Sequence, residues 1–186
     1  MKVLGISGSL RGNSYNTKLL RAAEELLPAV AEFELWDGLK AIPPYDEDDD
    51  VEPAPQPVAA LRAAIGEADV LLFATPEYNA SVPGQLKNAI DWASRPPATS
   101  VLRNKPVVVI GASTGAFGAV WSQAELRKVL ATAGARVADA EVAVGHAQTK
   151  FDEEGQLVDE AIREQLVEVI ETLLAELPAS LLLEAV

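Results

Sequence analysis

Three short segments carry residue types suited to holding an anion and a flat ring. The first is Ser7-Gly8-Ser9-Leu10-Arg11-Gly12-Asn13-Ser14-Tyr15-Asn16, which follows an apolar run and precedes a helical one. Small residues let backbone N–H groups close on an anion. Hydroxyls add donors, and the start of the next helix adds partial positive charge. Arg11 can fork onto phosphate oxygens. The spacing is neither G-x-x-x-x-G-K-[ST] nor G-x-G-x-x-G, which argues against a P-loop nucleotidase and an ordinary dinucleotide fingerprint. A plain polar strand-to-helix turn would have the same composition. The second segment, Thr75-Pro76-Glu77-Tyr78-Asn79-Ala80-Ser81-Val82-Pro83-Gly84, offers an aromatic ring and backbone amides on which a planar heteroaromatic ligand could lie. Ser81 is the expected cap of the helix that follows, with Pro83 in its first turn. The third, Ser113-Thr114-Gly115-Ala116-Phe117-Gly118-Ala119, reads either as a second wall of the same pocket or as a Gly-rich connection.

The elements that must position these segments follow from hydrophobic period. Strands are expected at Lys2–Ile6, Phe33–Trp36, Asp69–Thr75, Pro106–Ala112 and Ala135–Ala138. The unbroken apolar runs Leu71–Ala74 and Val107–Ile110 suit strands covered on both faces, as in a parallel sheet. Helical stripes fill the gaps: Leu19, Leu20, Ala23, Leu26 and Leu27; Val58, Leu61 and Ile65; Leu86, Ala89, Ile90 and Ala93; Leu126, Val129, Leu130 and Ala133; and a longest one from Ile162 to Leu177. Five β-then-α units predict an α/β fold of three layers in one domain, residues 1–186, with a five-stranded parallel sheet of order 2-1-3-4-5. Ligands of such sheets bind beyond the carboxyl ends of the strands, where strands 1 and 3 diverge. The three segments are the loops that meet there. The Pro-rich acidic stretch Ile42–Pro57 reads as a long surface loop.

Composition narrows the chemistry further. The chain has 186 residues, no cysteine and one histidine. Disulfides, thiolate metal sites and thiol catalysis are excluded, and a His-rich metal site with them. Fifteen basic against 28 acidic residues give a net charge of −13, unsuited to nucleic acid or an anionic membrane. The N-terminus reaches Gly and Ser too soon for a signal peptide, and the longest uncharged stretch is interrupted by Gly, Ser, Thr and Gln. The cytoplasm is the expected location. His146 reads as a surface-loop residue, Asp46–Asp50 as a solvated acidic loop, and Trp92 and Trp121 as packing residues. The apolar tail Leu181-Leu182-Leu183 would dock on the core or cover an interface.

With the loops in place, the sequence resembles the NAD(P)H-dependent FMN reductases of the flavodoxin-like class, which include quinone, azo and chromate reductases. The resemblance rests on Gly8–Asn16 and on the longer, more specific run Pro76-Glu77-Tyr78-Asn79-Ala80-Ser81-Val82-Pro83-Gly84-Gln85-Leu86-Lys87-Asn88-Ala89-Ile90-Asp91-Trp92. It continues through Phe151–Gly155 and spans roughly Lys2 to Leu177. It implies bound FMN, with Ser9, Arg11, Ser14, Tyr15 and Asn16 around the phosphate. Pro76, Glu77, Tyr78 and Asn79 would then lie along the ring system, and Ser113 and Gly115 at the far wall. NADPH or NADH would supply hydride, and a small-molecule electron acceptor (a quinone, flavin, azo compound or metal oxyanion) would receive it. The flavin carries the chemistry, so no catalytic side chain or metal is expected. Backbone N–H groups of Glu77–Asn79 are the expected donors to the ring, with Glu77 in a structural role. Arg11, Lys87, Arg95 and Arg103 are the cations that could attract the anionic dinucleotide. A homodimer or homotetramer is implied, with helix Pro83–Ser94 as the expected interface. Val120-Trp121 departs from the family, where an Arg and a small residue are common. The rival function is a flavodoxin-type electron carrier that oxidises no NAD(P)H itself.

Overall fold

The computed structural model describes residues 1–177; the apolar run Leu181–Leu183 lies outside them. Strands β1 (Lys2–Ser7), β2 (Glu32–Trp36), β3 (Val70–Thr75) and β4 (Pro106–Ala112) form a parallel sheet in the order β2-β1-β3-β4, continued by β5 (Arg136–Val137). The expected order 2-1-3-4-5 is present. Every residue of β3 and β4 is buried, as their unbroken apolar runs require. Side chains alternate between two cores. Leu4, Ile6, Leu71, Phe73, Val107 and Val109 face helices α2 (Gln56–Glu67), α3 (Gly84–Ala93) and α4 (Val120–Thr132). Val3, Leu72, Ala74, Val108 and Ile110 face α1 (Tyr15–Glu24) and α5 (Glu160–Ala175).

The fifth strand position differs from the expected run Ala135–Ala138. It is filled twice, by β5 beside Pro106 and Val107 and by β6 (Ala143–Val144) beside Gly111 and Ala112. Between them the chain leaves the sheet edge through Asp139 and Glu141. Glu141 reaches out to Arg127, with a carboxylate oxygen 2.6 Å from its guanidinium. An edge strand has one neighbour, so polar residues can break it without orphaning a second strand. Helix α1 also stops at Glu24, ahead of the expected Leu26 and Leu27, because Pro28 cannot continue it. Both leucines still pack against the core from the turn.

The stretch from Ile42 is not simply a surface loop. Gln56 and Pro57 already belong to α2, Ile42 is buried, and one face of α3 holds the segment before Tyr45. Gln85 Nε2 donates to the carbonyls of Leu39 (2.9 Å) and Ile42 (2.8 Å). Asn88 donates to the Pro43 carbonyl (2.8 Å) and accepts from Tyr45 N–H (2.7 Å). The buried Trp92 indole donates to the same Pro43 carbonyl at 2.9 Å. Positions 85, 88 and 92 recur at helical spacing and so share a face. Within the acidic run, Asp50 pairs with Arg62 at 2.8 Å, and no cluster of three or more metal-ligating side chains exists among the described residues. No helix among them is long and apolar enough to cross a membrane.

Asn88→Ala removes both sides of this strap and leaves Tyr45 N–H without its acceptor. It should cost roughly 1–3 kcal/mol in urea unfolding and speed thermolysin cleavage within residues 43–54. Unchanged stability and cleavage would show that the strap contributes nothing.

Candidate active site

Beyond the carboxyl edge of the sheet, β1 runs directly into the first loop. Gly8 N–H donates to the Ala74 carbonyl at 2.8 Å, extending the β1–β3 pairing by one residue. Ser14 then caps α1, its Oγ accepting from Asn16 N–H at 3.2 Å. Among the described residues, no protein group accepts from the N–H of Tyr15 or Thr17, so these first-turn amides remain available. The Tyr15 ring tilts against Phe151, with centroids 5.7 Å apart.

One cleft of about 120 Å³ gathers the three loops. It is lined by Ser9, Arg11, Ser14, Tyr15 and Asn16 from the first, Pro76, Glu77 and Tyr78 from the second, and Ser113 and Thr114 from the third, with Ala112 at the floor. Nine of the eleven residues expected at the site therefore converge. Asn79 and Gly115 do not line the cleft.

Several side chains have tasks that the sequence did not disclose. The Asn16 carboxamide is buried and bridges to β4, donating to the Ala112 carbonyl and accepting from Ala112 N–H, both at 2.9 Å. It staples α1 to the sheet, which leaves one amide hydrogen for a ligand. Ser81 does not cap α3; Pro83 precedes that helix, with no side-chain cap. Its hydroxyl donates instead to Glu125 Oε2 on α4 (2.6 Å), which also accepts from Val82 N–H (3.2 Å). Glu77 Oε2 accepts from the N–H groups of Trp121 and Ser122, each at 3.1 Å, so its charge sits on the positive end of α4. Between these anchors, Tyr78 and Ser81 exchange backbone hydrogen bonds across Asn79 (φ 53°) and Ala80 (φ 57°). The turn therefore takes up Tyr78 N–H, while the N–H groups of Glu77 and Asn79 have no protein acceptor among the described residues.

The third loop lies against the segment after β6. Ser113 N–H donates to Val144, His146 N–H to Gly115, and Ala147 N–H to Ser113. Gly118 has φ +58°, and a Cβ there would come within 2.3 Å of the Ala143 carbonyl carbon, so only glycine fits. Phe117 and Trp121 are both more than half-exposed or at half, and their rings meet edge to face at 5.1 Å. Trp121 thus stands at the rim instead of packing inside. His146 is exposed, as expected.

Of the four expected dinucleotide cations, Arg11 alone lines this cleft. Lys87, Arg95 and Arg103 line a separate groove of about 360 Å³ between α3 and α4, and Lys87 pairs with Asp91 at 2.7 Å. That groove is the larger cavity, but it holds none of the loop amides.

The family model described as NADPH-dependent FMN reductase matches residues 1–149. The chain belongs to that family. An NAD(P)H-dependent FMN reductase of Pseudomonas aeruginosa is 45% identical over 174 residues, 93% of each chain. An NADPH:quinone oxidoreductase of Arabidopsis thaliana is 41% identical, with 94% of this chain and 91% of that protein covered. Among solved structures, the flavoenzyme NAD(P)H:(acceptor) oxidoreductase FerB of Paracoccus denitrificans aligns with a TM-score of 0.81 at 31% identity, over 94% of this chain and 98% of its own. The reductase is thus an FMN-dependent oxidoreductase that uses NAD(P)H, with the flavodoxin-like fold of its relatives. The relatives named are reductases, which disfavours the carrier alternative.

The Glu125 clasp gives this reductase an acid sensitivity. Hydrogen bonding from Ser81, then from Val82 N–H, holds the Glu125 carboxyl below its usual value of 4.5. A depressed folded value means that the clasp is fully present above that usual value and is lost as pH falls through the folded one. Amide exchange at Val82, whose N–H donates to that carboxylate, should therefore rise, after correction for intrinsic rates, as pH falls below the usual carboxylate value in the native protein. In Glu125→Gln the Val82 amide should exchange faster at neutral pH and respond less to acid.

Proposed function

We propose that the cleft binds FMN and that this reductase delivers electrons from NAD(P)H to a flat small-molecule acceptor of the quinone type. The observation that carries the reading is the set of unspent donors on one cleft. Tyr15 N–H, the Ser9 and Ser14 hydroxyls and the Arg11 guanidinium lie at the α1 end. Glu77 N–H lies on the β3 loop side, with Asn79 N–H further along the same loop, outside the cleft lining. Donors at a helix start suit a phosphate, and a hydroxyl- and guanidinium-rich turn strengthens them. Donors beside an exposed tyrosine suit the polar edge of a ring system. These groups fit FMN. In this assignment Ser9, Arg11, Ser14 and Tyr15 hold the phosphate end, with Asn16 fixing the helix that presents them. Pro76, Glu77, Tyr78 and Asn79 border the ring, and Ser113 and Gly115 belong to the opposite wall, Gly115 by holding the Ser113 hydroxyl at 3.1 Å.

Bound FMN supplies hydride acceptance and delivery, so the protein needs no acid, base or metal of its own. The protein orients the ring, shields one face and leaves the other open. Tyr78, Phe117 and Trp121, each at least half-exposed, form an aromatic rim on which a planar acceptor can stack. The Burkholderia relative, 39% identical, is named a 2-hydroxy-1,4-benzoquinone reductase, which supports a quinone acceptor.

The same proposal includes a homodimer or homotetramer, residing in the cytoplasm. The groove between α3 and α4 carries Lys87, Arg95, Arg103 and Lys128 together with Asp91. Both signs on one face allow a two-fold axis to pair it with itself.

Two outcomes test the reading. The purified protein should be yellow and bleach within seconds on anaerobic NADPH, then recover with added quinone; a yellow protein that only dithionite bleaches would restore the carrier. Arg11→Ala should lose about 1.5–3 kcal/mol of FMN affinity, the range for a charge-assisted contact, read by flavin retention on dialysis. Full retention would remove Arg11 from the phosphate site.

A further inference from the structure

A second cleft, of about 280 Å³, opens on the other flank of the first loop, between the ends of β1 and β2. It shares Ser9 and Arg11 with the first cleft, so the two adjoin across one turn of chain. The register Ile6↔Trp36 puts Asp37 level with Ser7, at the carboxyl edge where the first loop begins. Trp36 and Lys40 complete the far wall. The indole lies over Gly38, where any Cβ would come within 2.5 Å of its ring. Glycine at that position is what allows the ring to lie back along the cleft.

The charges in this cleft are unspent. Among the described residues, Arg11, Asp37 and Lys40 make no ion pair, although seven such pairs occur elsewhere in the molecule. Asp37 precedes a short helical turn but does not cap it with its side chain. With Arg11 committed to the neighbouring phosphate end, Lys40 is the cation left to this cleft, opposite the carboxylate of Asp37. A flat indole, a carboxylate at the end of the second strand, and a lysine beside a phosphate-type loop are three separate complements to one ligand. The indole face suits a purine, the carboxylate a ribose diol, and the lysine a diphosphate.

We infer that this second cleft binds the adenosine diphosphate half of the dihydronicotinamide dinucleotide, with Trp36 against the adenine, Asp37 on the ribose and Lys40 on the diphosphate. The inference rests on the reading of the neighbouring cleft as the FMN site, because the nicotinamide end must then reach across Ser9 and Arg11 to the ring. It also gives the dinucleotide a cation, Lys40, which replaces Lys87, Arg95 and Arg103 in that role.

The test uses 5′-ADP, which lacks the nicotinamide. Calorimetric titration of the purified protein should show one site, and 5′-ADP should compete with NADH in steady-state assays. Lys40→Glu, at an exposed position, should weaken 5′-ADP binding and raise KM for NADH, each by about tenfold, as for a lost charged contact, with FMN content and thermal midpoint unchanged. Asp37→Ala should weaken binding of 5′-ADP more than that of its 2′,3′-dideoxy analogue. Absence of 5′-ADP binding, or an unaltered KM for NADH in a folded, flavin-loaded Lys40→Glu protein, overturns the inference. A protein that binds no FMN but still binds 5′-ADP in a Lys40-dependent way would overturn the FMN reading and leave this cleft standing as a nucleotide site.

Discussion

A parallel sheet covered on both faces has no side chains to spare for solvent. In β3 and β4 every residue is buried, and each backbone group along the strand is committed to a neighbour. Polar chemistry can then appear only where the ladder runs out. At the carboxyl edge the chain must turn away from β1, β3 and β4 in succession, and these three turns bring together hydroxyls, free amides and the rings of Tyr15 and Tyr78. The position of the cleft follows from burial before any residue in it is considered.

What burial leaves loose, two carboxylates fix. Glu77 reaches from the β3 loop to the amides that open α4, and Glu125 reaches back from α4 to Ser81 and Val82. The middle of the site is held more by charge-assisted hydrogen bonds than by apolar packing. This explains how a loop can keep Ala80 in a left-handed conformation that costs a non-glycine residue roughly 1–2 kcal/mol. It also explains why Tyr78 can stay exposed without collapsing onto the core.

The sheet order and the convergence of the three loops were legible in the sequence because they are written in period: apolar runs for buried strands, stripes for helices, and polar breaks between. Partner choice was not legible in that way. Asn16 reads as one more polar residue of the first loop, yet its carboxamide completes the edge of β4 ninety-six positions away. Gln85, Asn88 and Trp92 read as part of a family motif, while their common work is to hold the chain after β2. Ser81 looks like a cap because its sequence position is right, but a carboxylate on another helix binds its hydroxyl. Period records how deeply a side chain sits; it holds no information on which distant backbone group it meets. The split of the fifth strand escaped for a related reason, since the sheet edge tolerates polar interruptions that a central strand would forbid.

The reciprocal arrangement of Glu77 and Glu125 has a kinematic consequence. A loop tied to a helix at one point can swing about it; a loop tied at two points within one helical turn cannot. Residues 77 and 81–82 are joined to positions 121–122 and 125 of the same rigid rod, so the hairpin between them has lost its axis of rotation. Any swing of the backbone at Tyr78 must carry α4 with it, and α4 is fixed to the sheet through the buried Leu126 and Leu130. The mouth of this cleft is therefore a frame and not a flap, and a visiting molecule has to match its outline on arrival.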